Sequence, residues 1–292
     1  MSIEETGGTN RRLVLKSSLA TMAALGTGGV ASIARANVTG GMTLDQEILN
    51  FALNLEYLEA EYYLRAVYGT GLSPDETTGQ GTQGTVTGGG MVPFKTDAVQ
   101  AYATEIAGDE RDHVDYLRKA LGSARVAEPS IDLQQSFNTL AKAAGLGDTF
   151  DPFASEDNFL LGAFVFEDVW VTAYHGAAKL ITDKGVLDSA AGILAVEAYH
   201  AGIVRLLCYQ NGLGKSANKI SALRDKLSMA AGSARHTDQG ILMNGVVNLV
   251  PAHPVTSIAF ERNTTEVLNI VYAGGSSGNF GFFPDKMNGD IH

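Results

Sequence analysis

The 292-residue sequence predicts an all-α protein, a four-helix bundle with a helical and Gly-rich C-terminal extension. Three observations carry that expectation. Four long segments repeat apolar residues at the three-, four- and seven-residue spacing of an amphipathic helix. Strand-like alternation is scarce. Many of the 34 glycines fall between the periodic segments.

The first helix is expected over Leu44–Tyr68, where Thr43 followed by Gln46 reads as a capping box. The second begins near Thr96, after Pro93, and ends near Gly122. The third follows Ser155, an N-cap type of residue with Glu156 and Asp157 beside the positive helix end. It is expected to reach Lys184-Gly185. The fourth covers about 188–210 and stops at Asn211-Gly212. Residues 69–90 read as a long surface loop, and the linker 128–152 holds one short helix near 133–144. Two further helices are expected at 216–229 and 260–272. Phe280, Phe282 and Phe283 then pack the Gly-rich tail onto the bundle. The expected organisation is a targeting segment at 1–36, the bundle at 37–214 and the extension at 215–292.

The targeting segment places Arg11-Arg12 ahead of an apolar, small-residue stretch, with Ala34-Arg35-Ala36 as a cleavage site. Such a segment predicts twin-arginine export of a folded chain to the periplasm or beyond. The stretch is weaker than a membrane span, so no stable membrane anchor is expected. A net charge of −11 without a basic stripe argues against nucleic-acid binding. The single cysteine, Cys208, excludes an intrachain disulfide and thiolate clusters. Any metal must therefore use carboxylate and imidazole ligands, which suit iron, manganese or zinc.

The chemistry lies where the apolar stripes are interrupted. In the second helix Tyr102, Ile106, Leu117 and Leu121 share a face with Glu110 and His113. In the third, Glu167 falls amid Leu160, Ala163, Phe164, Trp170, Val171, Tyr174 and Ala178. In the fourth, Ile193, Val204 and Leu207 share a face with Glu197 and His200. A buried carboxylate costs several kcal/mol unless it is paired or bound to metal. Two Glu-x-x-His pairs on alternate helices, plus one glutamate from each of the others, is the ligand pattern of di-metal carboxylate bundles. The first helix offers both Glu56 and Glu59. Glu59 lies nearer the centre of the stripe Ile48, Phe51, Leu55, Leu58, Tyr62. An internal echo favours Glu56: Glu56 precedes Tyr63 by seven residues, as Glu167 precedes Tyr174. Glu110, His113 and Arg118 likewise match Glu197, His200 and Arg205. Glu56 is therefore the expected ligand, with Glu59 as auxiliary or alternative. Two divalent cations would neutralise four carboxylates. Tyr63 and Tyr174 are catalytic candidates, placed to hydrogen-bond the ligands or carry a radical.

Other polar residues are given plainer roles. His175, His236, His253 and His292 are expected at the surface or satisfied by neighbours. Asp109 and Asp168 are expected in solvent, with Asp109 able to help ions enter. Arg118 and Arg205 are expected to pair with carboxylates, and Trp170 and Cys208 to lie in the core.

Leu53-Asn54-Leu55-Glu56 with Tyr63-Leu64, and the run Asp109 to Leu117, resemble the ferroxidase-site segments of ferritins and bacterioferritins over about 44–210. Residues 49–63 resemble the ferritin-like domain proteins, which include plant desiccation-related proteins and exported bacterial relatives. The tail segments Asn248-Leu249-Val250-Pro251, Ala259-Phe260-Glu261-Arg262 and Gly281-Phe282-Phe283-Pro284 resemble them too. The resemblance implies a ferritin-like bundle with metal ligation by Glu56, Glu110, His113, Glu167, Glu197 and His200. That set is nearer to bacterioferritin than to ordinary ferritin, which lacks the second histidine, and it is compatible with manganese catalases. Two iron or manganese ions acting on O2 or H2O2 in stress protection is the leading expectation. A non-catalytic desiccation-protective protein with a structural metal site is the alternative. Iron storage in a cage ranks last, because the 69–90 loop and the extension suit a tight shell poorly. A homo-oligomer is compatible with each.

Overall fold

In the computed structural model, which describes residues 42–275 and 281–292, four long helices surround the predicted ligands. The segment with Arg11-Arg12, and Phe280, lie outside the described residues. The helices are α1 (Leu44–Tyr68), α3 (Asp97–Leu121), α5 (Glu156–Ala178) and α6 (Lys184–Gln210). Shorter elements are α2 (Pro74–Thr77), α4 (Gln135–Ala144), α7 (Gly214–Ala230) and α8 (Thr264–Val271). The chain from Met42 to His292 forms one compact unit.

Local chemistry explains the boundaries. The Thr43 side chain accepts from Gln46 N while Gln46 accepts from Thr43 N, the expected reciprocal cap. Ser155 caps α5 through Asn158 N. One expected boundary is corrected: α5 ends at Ala178, and Lys184-Gly185 open α6 instead. The cause is Asp183, whose carboxylate accepts from Gly185 N and Val186 N and so starts a new helix. The sixth helix also starts later than expected, at Thr264, where Asn263 and Glu266 form a capping box.

α1 packs along α3, and α5 along α6, with the α1 and α5 faces meeting between the pairs. The expected structureless loop at 69–90 instead contains α2 and the strand β1 (Val86–Thr87). β1 pairs in parallel with β2 (Ile131–Asp132) from the crossover between α3 and α5. A hairpin of β3 (Leu242–Met243) and β4 (Val246–Val247) lies in the extension.

α5 is buried almost all round, because the extension covers its outer side. That side is polar. Arg205 on α6 and Arg224 on α7 both donate to Asp168 on α5, at 2.7 and 2.8 Å. Arg224 and Arg262 also bind Asp238, at 2.8 and 2.7 Å. Asp168, expected in solvent, is thus only 5% exposed. Helical adjacency to Glu167 turned it outward, and the extension then covered it. The tail adds apolar contact: Phe282 lies against Phe137 and Phe166, and both Phe282 and Phe283 are fully buried. Its last turn returns to α1, where Asn54 donates to Asn288 O at 2.9 Å and accepts from Asn288 N at 3.1 Å.

α6 is long and apolar enough to cross a membrane by length and composition. Its buried face nevertheless carries Glu197, His200 and Arg205, which marks a bundle helix. Tyr102, expected on the inner face of α3, is 37% exposed, and Ala103 occupies the interior instead.

Where the extension crosses α5, Arg262 N donates to Thr172 O at 2.9 Å, and a Cβ on Gly176 would lie 1.9 Å from Arg262 O. Gly176→Ala should lower unfolding free energy in urea by about 1–3 kcal/mol through this overlap. Gly192→Ala, with open space around the new methyl, should leave stability unchanged or raise it by up to about 1 kcal/mol.

Candidate metal centre

Four helices deliver carboxylates or imidazoles to one place. Glu56 comes from α1, Glu110 and His113 from α3, Glu167 from α5, and Glu197 and His200 from α6. All six are buried, with the four glutamates at most 1% exposed. Donor atoms of Glu56, Glu110, His113 and Glu197 lie within 4.8 Å of one another, as do those of Glu167, Glu197 and His200. Glu59 belongs to neither group.

The distances show how the groups join. His113 Nδ1 lies 3.2 Å from Glu56, 3.3 Å from Glu197 and 3.4 Å from Glu110. His200 Nδ1 lies 2.9 Å from Glu110 and 3.8 Å from Glu197, with Glu167 at 4.0 Å. Glu110 and Glu197 therefore reach both imidazoles and can bridge two ions, while Glu56 and Glu167 each serve one position.

The tyrosines tie the halves together crosswise. Tyr63 on α1 donates to Glu167 on α5, and Tyr174 on α5 donates to Glu56 on α1. Positions 56 and 63 thus face 174 and 167, which requires α1 and α5 to run antiparallel. This is the pseudo-twofold relation that the sequence echo suggested.

Asp109 has a role that spacing did not reveal. Its half-exposed carboxylate lies 3.0 Å from His200 Nε2. When Nε2–H donates there, Nδ1 points a lone pair at Glu110 Oε1, 2.9 Å away and outside hydrogen-bond geometry. Something positive must sit between them. A proton serves in the metal-free chain, and a metal ion serves better, because carboxylate contact to the far nitrogen orients a ligand histidine. Both oxygens of Glu197 and Glu167 Oε2 also lack hydrogen-bond partners among the described residues. Orphaned oxygens and the bare Nδ1 of His200 in one buried pocket fit hard or borderline metal ions.

Without metal the cluster is electrostatically frustrated. Burial, reinforced by neighbouring carboxylates against the pull of His113, raises Glu56 to about 8. Glu59 and Glu167 are also held well above the ordinary carboxylate range, chiefly by burial. Burial opposes charge on the histidines, but adjacent carboxylates prevail and push His200 up to about 12. His113 is raised as well. Glu110, between two imidazolium groups that outweigh its burial, drops to about 2.

Residues outside the cluster divide between expected and unexpected partners. Arg205 meets a carboxylate, as anticipated. Arg118 does not: its guanidinium donates to the carbonyls of Thr78 and Asp75 and to the Tyr57 hydroxyl. The capped turn of α2 brings those carbonyls to it, and spacing within one helix carries no sign of that. His175 Nδ1 lies 3.0 Å from Phe260 O, Trp170 is core, and the Cys208 thiol is buried and raised by burial.

The ferritin-like domain profile matches residues 44–210, more than half of the chain and all four helices of the centre. The chain belongs to the ferritin-like domain family. It is 33% identical over 200 residues to the desiccation-related protein PCC13-62 of Craterostigma plantagineum, covering 63% of this chain and 62% of that one. It is 26% identical over 270 residues to the ferritin-like catalase Nec2 of Nesocodon mauritianus, covering 85% and 84%. The chain thus spans somewhat less than two thirds of the desiccation-related relative. No solved structure matches it.

The metal-free protein should lose stability as pH rises. Glu56 titrates near 8 in the fold against 4.5 when free, and His200 near 12 against 6.5. Each raised group stabilises fully below its unfolded value and ceases to do so as pH passes its folded value. Thermal melts of chelator-treated protein should fall by several degrees between pH 4.5 and 8, whereas metal-saturated protein should lack that slope. A flat metal-free profile would contradict the frustrated cluster.

Proposed function

We propose that the centre holds two manganese or iron ions and performs two-electron redox chemistry on hydrogen peroxide, in an exported stress-protective protein. The observation that carries this reading is the pair of buried donor groups joined through Glu197, with Glu110 reaching both imidazoles. The name of the ferritin-like catalase relative, matched over most of both chains, supports peroxide as the oxidant. Arg11-Arg12 and the apolar stretch behind it support export.

When bound, the metal pair supplies reversible electron transfer, so that one peroxide is reduced to two waters and another is oxidised to dioxygen, with no net gain or loss of protons. The chain's residues set the conditions. Glu110 and Glu197 would hold both ions, and Glu56 and Glu167 would each hold one. Tyr63 and Tyr174 orient those terminal carboxylates by donating to one oxygen of each, leaving Glu167 Oε2 without a hydrogen bond and Glu56 Oε2 against His113 Nδ1. Asp109 keeps the proton of His200 on Nε2, so that Nδ1 faces the pocket. The buried apolar residues around α1 and α5 restrict water and raise the strength of each charge interaction.

Metal analysis of the protein purified from its native compartment, followed by an oxygen-electrode assay with peroxide, tests the proposal. Two metals per chain and peroxide-dependent oxygen release are expected. Glu110→Ala combined with His200→Ala should lose the metal and the activity together. Asp109→Ala should weaken metal affinity by about 10–100-fold, as loss of a carboxylate behind a ligand histidine does. Metal-free native protein, or metal content unaffected by the double substitution, would refute the centre. The second reading, a non-catalytic protective protein, is favoured by the desiccation-related relative. A fully loaded protein inert toward both peroxide and dioxygen would select it.

A further inference from the structure

We infer that Glu59 is a seventh donor of the centre, serving the position of Glu167, Glu197 and His200 and making the two metal positions unequal. The inference rests on the metal-pair reading above.

Glu59 is fully buried, and among the described residues neither of its oxygens has a hydrogen-bond or ion-pair partner. The other carboxylates of the cluster differ in this respect. Glu56 and Glu167 each accept from a tyrosine, and Glu110 and Glu197 lie against imidazoles. A buried carboxylate with no counter-charge is the most costly polar arrangement in a core. Side chains that only pack would be cheaper here as apolar residues.

Its place on α1 indicates which position it serves. Glu59 lies between Glu56, which belongs to the first donor group, and Tyr63, which donates to Glu167 of the second. Glu110, Glu197, Glu167 and Glu56 all oppose its ionisation, so it lies among the carboxylates of both groups. The second group is also the poorer one. It has three mutually close donors where the first has four, and Glu59, which stands outside both groups before a metal binds, would make up the difference.

The pseudo-twofold shows that this donor is not duplicated. Three residues past Glu56 is Glu59, and three residues past the equivalent Glu167 is Trp170. Trp170 is equally buried, and its indole N–H is unpartnered among the described residues, but that group cannot ligate a cation. The symmetry of ligands and tyrosines therefore fails at one pair of positions. The consequence is a fifth carboxylate against two cations, which favours a hard ion of higher charge at the second position.

Titration of the metal-free full chain with Mn(II), followed by isothermal calorimetry and electron paramagnetic resonance, tests this. The wild type should take two ions with distinguishable affinities and give the spectrum of a coupled pair. Glu59→Gln keeps the shape and removes the charge. It should leave the first affinity intact, weaken the second at least about tenfold, and give the six-line signal of a single ion when one equivalent is bound and the second is absent. The metal-free variant should melt no lower than the metal-free wild type, because a carboxyl whose ionisation burial and its neighbours oppose gives way to a neutral amide of the same shape. Two Mn(II) bound by Glu59→Gln at wild-type affinity, with the coupled spectrum retained, would overturn the inference and leave the metal pair standing. A wild type that binds no Mn(II) or ferrous ion would instead sink the metal-pair reading. Should Glu59→Gln not fold, Glu59→Met carries the same test. Should neither fold, two identical affinities in the wild type would overturn the inequality.

Discussion

Mutual repulsion among buried carboxylates is the constraint on which the rest of this structure depends. Glu56, Glu110, Glu167 and Glu197 are brought together from four helices, beyond the reach of bulk water. In so poor a solvent their charges cannot coexist unless cations lie between them. His113 and His200 supply part of that charge in the metal-free chain, and protons on Glu56 and Glu167 reduce the remainder. A metal pair would do what those protons do without giving up the charge on the carboxylates. The cluster is thus a folding problem and a candidate metal site for the same reason.

The surroundings hold the cluster in place. Reciprocal capping at Thr43 and the carboxylate cap at Asp183 fix where α1 and α6 begin, and so which residues face inward. The crossed Tyr63 and Tyr174 contacts lock the terminal carboxylates across the α1–α5 interface. The extension then closes the outer side of α5 with Arg205, Arg224 and Arg262 against Asp168 and Asp238. That polar layer lies beside Glu167 on α5, since Asp168 follows it by one residue and projects about 100° further round the helix. A cluster that must resist like-charge repulsion is backed by a network whose opposite charges are matched.

Pseudo-twofold symmetry relates the two halves, and its breaks are informative. The candidate ligands Glu56 and Glu167, and the tyrosines that donate to them, obey it. Glu59 and Trp170 do not. Asp109 also stands apart: both imidazoles meet the cluster through Nδ1, and Asp109 lies at the far nitrogen of His200, but the equivalent position, one before Glu197, is Val196 and has no carboxylate to offer His113. Membership of the ferritin-like domain family accounts for the shared plan. The differences between the halves belong to these particular side chains.

Much of the plan was legible in the chain alone. Helical periodicity located the four long helices, because burying one face of a helix demands a repeat near 3.6 residues whatever the neighbours are. Glu-x-x-His on alternate helices pointed to a shared centre, since i and i+3 project together and unpaired carboxylates are not tolerated in an apolar stripe. Contacts between segments distant in sequence left no such periodic trace. The partners of Asp109, Arg118 and Asp168, the return of Asn288 to Asn54, and the orphaned state of Glu59 are settled only when separate elements meet. Periodicity specifies which way a side chain points from its own helix; only the tertiary structure decides what it finds there, because that depends on where the other helices and the extension come to rest.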